Sequence, residues 1–220
     1  MIQPQNYPVA ITGKRIQFPA MDWNSRYENK DTPWNKGMHT PVLEEFQIRH
    51  TEKLSGKIAV PGCGAGHDAR WLADLEGADV HGLDIAPLAI DEARSLDPQG
   101  KVNYQVMDFL NPKKEDAGSY DLIWEHTCFC ALHPSMRSAY LHSVSTLLKS
   151  GGLVAGVFFI DPEMDEGEEG PPFKVGTAEL DEMWQASGFE ILDAWIPTRG
   201  YEGRIGRERA MILRKRANLT

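Results

Sequence analysis

The sequence predicts an α/β fold, a doubly wound seven-stranded, mostly parallel sheet with one antiparallel strand. Three observations predict it. From residue 56 onward, short apolar runs alternate with helix-period segments, the pattern of parallel strands covered on both faces. A glycine-rich turn, "PGCGAG" at 61–66, joins the first apolar run to the first helix of that series. The chain ends on two apolar runs joined by "TRGYEGRIGR", which reads as a hairpin and reverses one strand.

Residues 1–20 carry three prolines and little periodicity. We read 1–21 as an irregular N-terminal arm and 22–220 as a single domain. Trp23–Asn29 predicts a short helix and Asp31-Thr32-Pro33 a turn. Pro41 suits the first turn of a second helix, Val42–His50, because its missing N–H costs nothing there. Lys57–Val60 is the first sheet strand, and His67–Gly77 a helix closed by glycine. "DVHGLDI" is the second strand, and "APLAIDEARSL" a helix with Pro87 in its first turn. "VNYQVMDF" and "YDLIWEH" are the third and fourth strands. "PSMRSAYLHSVSTLLKSGG" reads as one helix running to Gly151-Gly152, and "LVAGVFFI" as the fifth strand. The acidic stretch Asp161–Gly170 reads as a lid. A last helix, "TAELDEMWQASG", precedes the closing strands "FEILDAWIP" and "ERAMILRKR". The whole is Rossmann-like.

With 220 residues, 41% of them hydrophobic, the chain is long enough for one sizeable core. Its net charge of −9 argues against a nucleic-acid partner, since phosphate neutralisation needs clustered Lys and Arg. The longest apolar runs fall short of the ~20 residues of a membrane helix. The first residues lack the apolar centre of a signal peptide. Cys63, Cys128 and Cys130 are an odd number for a disulfide framework. Cys128-Phe129-Cys130 has no second pair, which disfavours zinc. The expectation is a cytoplasmic, reduced protein without metal or membrane partner, and a monomer.

Which ligand does the glycine turn face? A P-loop needs Gly-Lys-Ser/Thr, and here Gly66 is followed by His67-Asp68. A dinucleotide fingerprint needs G-x-G-x-x-G, and here His67 stands at the third glycine position. G-x-G-x-G suits S-adenosylmethionine, whose methionine part can lie against Gly62 and Gly64 with its carboxylate on backbone amides. A plain tight turn is the alternative. Asp84 ends the second strand, 20 residues after Gly64, where an acid can accept from both ribose hydroxyls or simply cap the next helix. Asp108-Phe109 ends the third strand and suits an adenine, the acid on its amine and the ring stacked, or forms a strand-end turn. Glu125 and His126 end the fourth, where a methyl acceptor would meet the cofactor. These features share the carboxyl edge of the sheet, where open α/β sheets bind ligands.

Longer motifs carry a resemblance. "WNSRYENKDTPWNKGMHTPVL", "VPGCGAGHD", "GLDIAPLAIDEAR", the segment from "YDLIWEHTCFCALHP" to "LLKSGGLV", "EGPPFKVGTAEL" and "IPTRGYEGRIGRERAMILRK" resemble thiol and halide methyltransferases of the thiopurine S-methyltransferase superfamily, over roughly residues 22–216. The resemblance implies the class I methyltransferase fold. It also implies S-adenosylmethionine as cofactor, with S-adenosylhomocysteine as product. It further implies an aromatic arm of Trp23, Tyr27 and Trp34, with Tyr27 where the family has tryptophan. Gly62 and Gly64 match the methionine turn, Asp84 the ribose acid, and Asp108 with Phe109 the adenine pair. Where the family often has Asp-Tyr-Thr, this chain has Glu125-His126-Thr127.

The expected activity is methyl transfer to a small soft nucleophile, a thiol, thiopurine or halide. A thiol ionises near pH ~8.5, so positioning and desolvation can suffice. His126 is the candidate base, with Glu125 beside it. Phe129, Pro171, Pro172, Phe173 and Arg207 are candidate pocket residues. Alternatives are an O-, N- or metalloid methyltransferase on the same scaffold, a non-catalytic cofactor-binding protein, and a nicotinamide oxidoreductase.

Overall fold

The computed structural model describes residues 10–11, 14–15, 21–164, 167 and 170–217. Most of the arm expected over 1–21, and part of the expected lid at 161–170, lie outside the described residues. Strands β1 (Ala10–Ile11) and β2 (Lys14–Arg15) pair antiparallel.

Helix α1 (Trp23–Glu28) starts at Asp22, whose carboxylate accepts from Ser25 N–H, the usual way to satisfy a first-turn donor. Helix α2 (Val42–His50) follows Pro41 as expected. Then come β3 (Gly56–Pro61), α3 (His67–Ala73), β4 (Ala78–Asp84), α4 (Pro87–Ser95), β5 (Asn103–Val106), β6 (Tyr120–His126), α5 (Arg137–Leu147), β7 (Leu148–Phe159), α6 (Thr177–Ala186), β8 (Phe189–Trp195) and β9 (Glu208–Lys215). The sheet order is β5-β4-β3-β6-β7-β9-β8. Only the pairings of β9, with β7 and with β8, are antiparallel in this sheet. The one reversed strand is therefore β9, and the expected closing hairpin is β8–β9.

Alternation along the central strands feeds two cores. Ile58, Leu122, Trp124, Val157 and Ile212 pack with Phe46 of α2, Leu72 of α3 and Ile90 of α4. Ala59, Ile123, Phe158, Met211 and Leu213 pack with Tyr140 and Val144 of α5 and Trp184 of α6. A period of two splits each strand between the faces, and helices on both sides explain why the strands read as continuous apolar runs. Strand order reverses between β3 and β6, so a crevice opens at their carboxyl ends. Among the described residues no helix is long and apolar enough to cross a membrane.

Three boundaries differ from the sequence reading. Helix α3 ends at Ala73 and not at Gly77. Strand β5 stops at Val106, because Asp108 Oδ1 accepts from Leu110 N–H and folds the chain into a turn. Helix α5 ends at Leu147, and the segment taken for its end belongs to β7. Tyr120 pairs with Leu148 and Leu122 with Leu153, so Lys149–Gly152 bulges within the strand. Gly151 has φ +75°, and a Cβ on Gly152 would sit 3.0 Å from Lys149 O. The glycines serve a bulge rather than a helix stop.

Candidate active site

A cavity of about 510 Å3 opens at the carboxyl edge of the sheet, within the ~300–1,000 Å3 typical of ligand sites. The arm forms one wall. Trp34 packs edge-on against Trp23 at 5.4 Å and against Tyr27 at 5.9 Å, and its Nε1–H donates to Tyr27 Oη. The ends of β4 and β5 supply Asp84, Asp108 and Phe109. Pro171, Pro172 and Phe173 close the far end, so the aromatic arm, both acids and the proline loop face one space.

Asp84 is buried. One carboxylate oxygen accepts from Gly64 N–H and the other from Ala86 N–H, both at 2.9 Å. It therefore caps the next helix and pins the glycine turn while lining the cavity. Burial raises its carboxyl above the usual range, against those two bonds.

The glycines answer partly to the chain itself. Added Cβ atoms at Gly62 and Gly66 would strike Cys128 and the Tyr104 ring, whereas at Gly64 the nearest atom is the Tyr27 hydroxyl, 3.1 Å away on the arm. The turn's amides are also largely committed. Cys63 N–H donates to Leu83 O, Gly64 N–H to Asp84 and Gly66 N–H to Cys63 O. They are not the open row of donors that the glycine pattern suggested.

Three expected residues lie elsewhere. Glu125 is 1% exposed. It turns toward α5, accepting from Phe129 N–H and from the Tyr140 hydroxyl. Burial pushes its carboxyl up to about 7 despite those bonds. Phe129 is core, packed between Tyr140 and Phe158. Arg207 stands outside the cavity and pairs with Glu163 at 3.6 Å. Two arginines line the cavity, Arg26 on α1 and Arg204, which is stacked 4.9 Å from the Phe159 ring and paired with buried Glu208. A strand-end spacing cannot tell these neighbours apart, because the turn angles decide which side chain enters.

His126 lines a second, smaller cavity of about 60 Å3, shared with the glycine turn, Trp34, Lys36 and Tyr201. Its Nδ1 lies 2.8 Å from Asp68 Oδ2, and its Nε2 is buried with no partner among the described residues. Asp68 also accepts from Thr40 N–H and Trp124 Nε1–H. The sequence reading passed over Asp68, which is 58 residues away from His126. Gly62, Trp34 and Thr127 line both cavities. Thr127 is β-branched yet holds φ +67°, and such strain concentrates at functional sites.

A family profile described as thiopurine S-methyltransferase matches residues 19–195. This chain belongs to the thiopurine S-methyltransferase family. It is 32% identical over 195 residues to a probable thiol methyltransferase 2 of Arabidopsis thaliana, covering 84% of this chain and 83% of that one. A thiocyanate methyltransferase 1 of the same plant is 32% identical over 197 residues, covering 84% and 82%. A thiopurine S-methyltransferase of Pseudomonas putida is 24% identical over 191 residues, covering 78% and 86%. The solved structure of a 1,6-didemethyltoxoflavin-N1-methyltransferase from Burkholderia thailandensis, with S-adenosylhomocysteine bound, superposes with a TM-score of 0.70 at 18% identity. It covers 98% of this chain and 97% of that one, and shares the fold. The protein is thus an S-adenosylmethionine-dependent methyltransferase of the thiopurine S-methyltransferase family with the class I fold.

Proposed function

We propose that this methyltransferase acts on a small soft nucleophile, a thiol, thiopurine or halide. The observation that carries the reading is the chemistry of the acceptor end of the large cavity. Its wall is apolar around Phe159, Pro171 and Phe173, with Cys128 and Cys130 beside them. Burial pushes both thiols up, Cys130 to about 12, so they stay neutral. His133 is the histidine in that wall, and its Nδ1 lone pair accepts from Ser135 N–H. The carboxylates that line the cavity, Asp84 and Asp108, are those this reading gives to the nucleoside. Such a wall can align and desolvate an acceptor but supplies no strong base. That suits a nucleophile that ionises by itself, such as a thiol near pH ~8.5. The relatives that carry thiol, thiocyanate and thiopurine in their names support the same reading.

The site residues follow. Trp23, Tyr27 and Trp34 cover the cofactor, Asp84 takes the ribose, and Asp108 with Phe109 takes the adenine. Gly62 and Gly64 pass beneath the methionine part, and Thr127 stands where the two cavities meet. Bound S-adenosylmethionine supplies an electrophilic methyl group on a sulfonium. The chain's part is to hold donor and acceptor in line and exclude water. Residues 22–220 act as one unit, a cytoplasmic monomer with a small-molecule partner and no nucleic-acid partner. The net charge of −9 supports the last point.

A panel of acceptors assayed with S-adenosylmethionine tests the proposal: a thiopurine, hydrosulfide, an aryl thiol, iodide and a catechol. Turnover of one or more of the soft acceptors is expected. Turnover of the catechol alone overturns the proposal. S-adenosylhomocysteine binding without turnover of any acceptor favours a non-catalytic role.

A further inference from the structure

The small cavity has a chemistry that methyl transfer to a soft nucleophile leaves unused. It holds the buried pair His126–Asp68, joined at 2.8 Å, with side chains 8% and 11% exposed. Asp68 is locked as a carboxylate. Burial opposes its charge, but His126 and the bonds from Trp124 and Thr40 hold it below the usual range. Burial also opposes the charge on His126, yet Asp68 outweighs it and raises the imidazole above its ordinary value. With Nδ1–H given to Asp68, the remaining nitrogen is Nε2, buried and without a partner among the described residues. A desolvated N–H left unmatched costs about 1–3 kcal/mol, which a ligand acceptor would recover.

The cavity selects what that acceptor is. It abuts Gly62–Ala65 and adjoins the large cavity, with which it shares Gly62, Trp34 and Thr127 as lining. About 60 Å3 admits roughly two waters or one carboxylate. Lys36 adds a second cation to its wall. Three turn amides that would otherwise serve an anion are already committed. We propose that the His126 imidazolium, oriented by Asp68, donates from Nε2 to the carboxylate of the cofactor's methionine part. His126 is then a cofactor anchor rather than the base that deprotonates the acceptor, and Asp68 is its positioning residue. The inference rests on the cofactor lying along the glycine turn, as proposed above.

The anchor makes cofactor affinity pH-dependent. The charged and titratable groups around His126 include Asp68 on α3, Glu125 on its own strand, Tyr201 and Arg204 from the loop before β9, Glu208 on β9, and Lys36 in the cavity wall. His67 shares the cavity, but burial and Arg70 lower its pKa, and Arg70 donates to its Nδ1, so it stays neutral. Asp68 therefore dominates, and the anchoring proton is lost only as pH rises through the raised value.

Calorimetry with two ligands tests this. S-adenosylhomocysteine carries the carboxylate; 5′-methylthioadenosine keeps the nucleoside and thioether but lacks the amino-acid end. From about pH 6 to about pH 8.5, wild-type affinity for S-adenosylhomocysteine should fall roughly 10-fold, and that for 5′-methylthioadenosine should not. His126→Phe should lose about 10- to 100-fold for S-adenosylhomocysteine, lose its pH dependence, and bind 5′-methylthioadenosine as the wild type does. Unchanged S-adenosylhomocysteine affinity in the variant overturns the anchor. So does an equal loss for both ligands, or a wild-type profile that is flat with pH for both. No heat with either ligand overturns the placement of the cofactor itself, which separates the two failures. The acceptor panel is read independently of all these outcomes.

Discussion

At the scale of single residues, the electrostatics of the sheet edge divide between two neighbours on one strand. His126 and Glu125 point to opposite sides of β6, as strand geometry requires. His126 meets a carboxylate and gains charge; Glu125 meets only a phenol and an amide, whose bonds do not offset its burial, and resists it. Glu125 has its folded pKa raised to about 7 from 4.5, so the folded state binds its proton more tightly than the unfolded state. Stability therefore falls as pH rises across that window, by roughly 3 kcal/mol. Glu125→Gln keeps an acceptor for Phe129 N–H and a partner for Tyr140 but cannot ionise. Its melting temperature should exceed that of the wild type near pH 8, with the gain gone near pH 4.5. Melting curves that move in parallel with pH would show that Glu125 does not titrate in the folded protein.

At the scale of elements, the proline loop is held by the start of α5. Arg137 donates to Phe173 O, to Lys174 O at 2.7 Å and to Glu179 at 3.1 Å, and its guanidinium stacks 5.1 Å from the Phe129 ring. Phe173 N–H reaches back to Cys130 O at 2.7 Å. The acceptor wall is thus built by fixing a loop to a helix and to the turn after β6. Arg137→Ala removes a buried guanidinium and its bonds to the Phe173 and Lys174 carbonyls and should cost about 1–3 kcal/mol, read by urea unfolding. It should also raise the acceptor KM several-fold while S-adenosylhomocysteine affinity changes little. An acceptor KM equal to that of the wild type would show that the loop holds its shape without this arginine. Opposite the loop, buried Glu45 of α2 accepts from Trp195 Nε1–H, Thr198 N–H and Arg199 N–H. That clamp fixes the segment leading to Tyr201, whose ring stacks on His126 at 5.9 Å.

At the scale of the whole molecule, the site spans contributions from α1 to the loop before β9, so a bound cofactor ties the two cores together. Saturating S-adenosylhomocysteine at about 100 times its Kd should stabilise the fold by about 2.7 kcal/mol, or roughly 5–10 °C in melting temperature for a chain of this size. NAD should give no shift, since His67 replaces the third glycine of a dinucleotide turn. Thermal scans with each ligand decide the matter, and an equal shift with NAD would restore the dinucleotide reading.

The order of strands and helices, the reversed last strand, the family and its cofactor could all be read along the chain. Those follow from hydrophobic period, from glycine and proline placement and from long motifs, all of which are local along the chain. That Asp84 and Asp108 would line one crevice was legible because strand ends sit at one edge of a parallel sheet. Which side chains enter the cavity depended on the packed fold. Phe129 and Glu125 turned into the core, Arg204 took the place expected of Arg207, and Asp68 met His126 across 58 residues. Past a strand end, side-chain direction depends on turn dihedrals such as the +67° of Thr127 and on what the opposite helix presents. Neither is written in the local pattern.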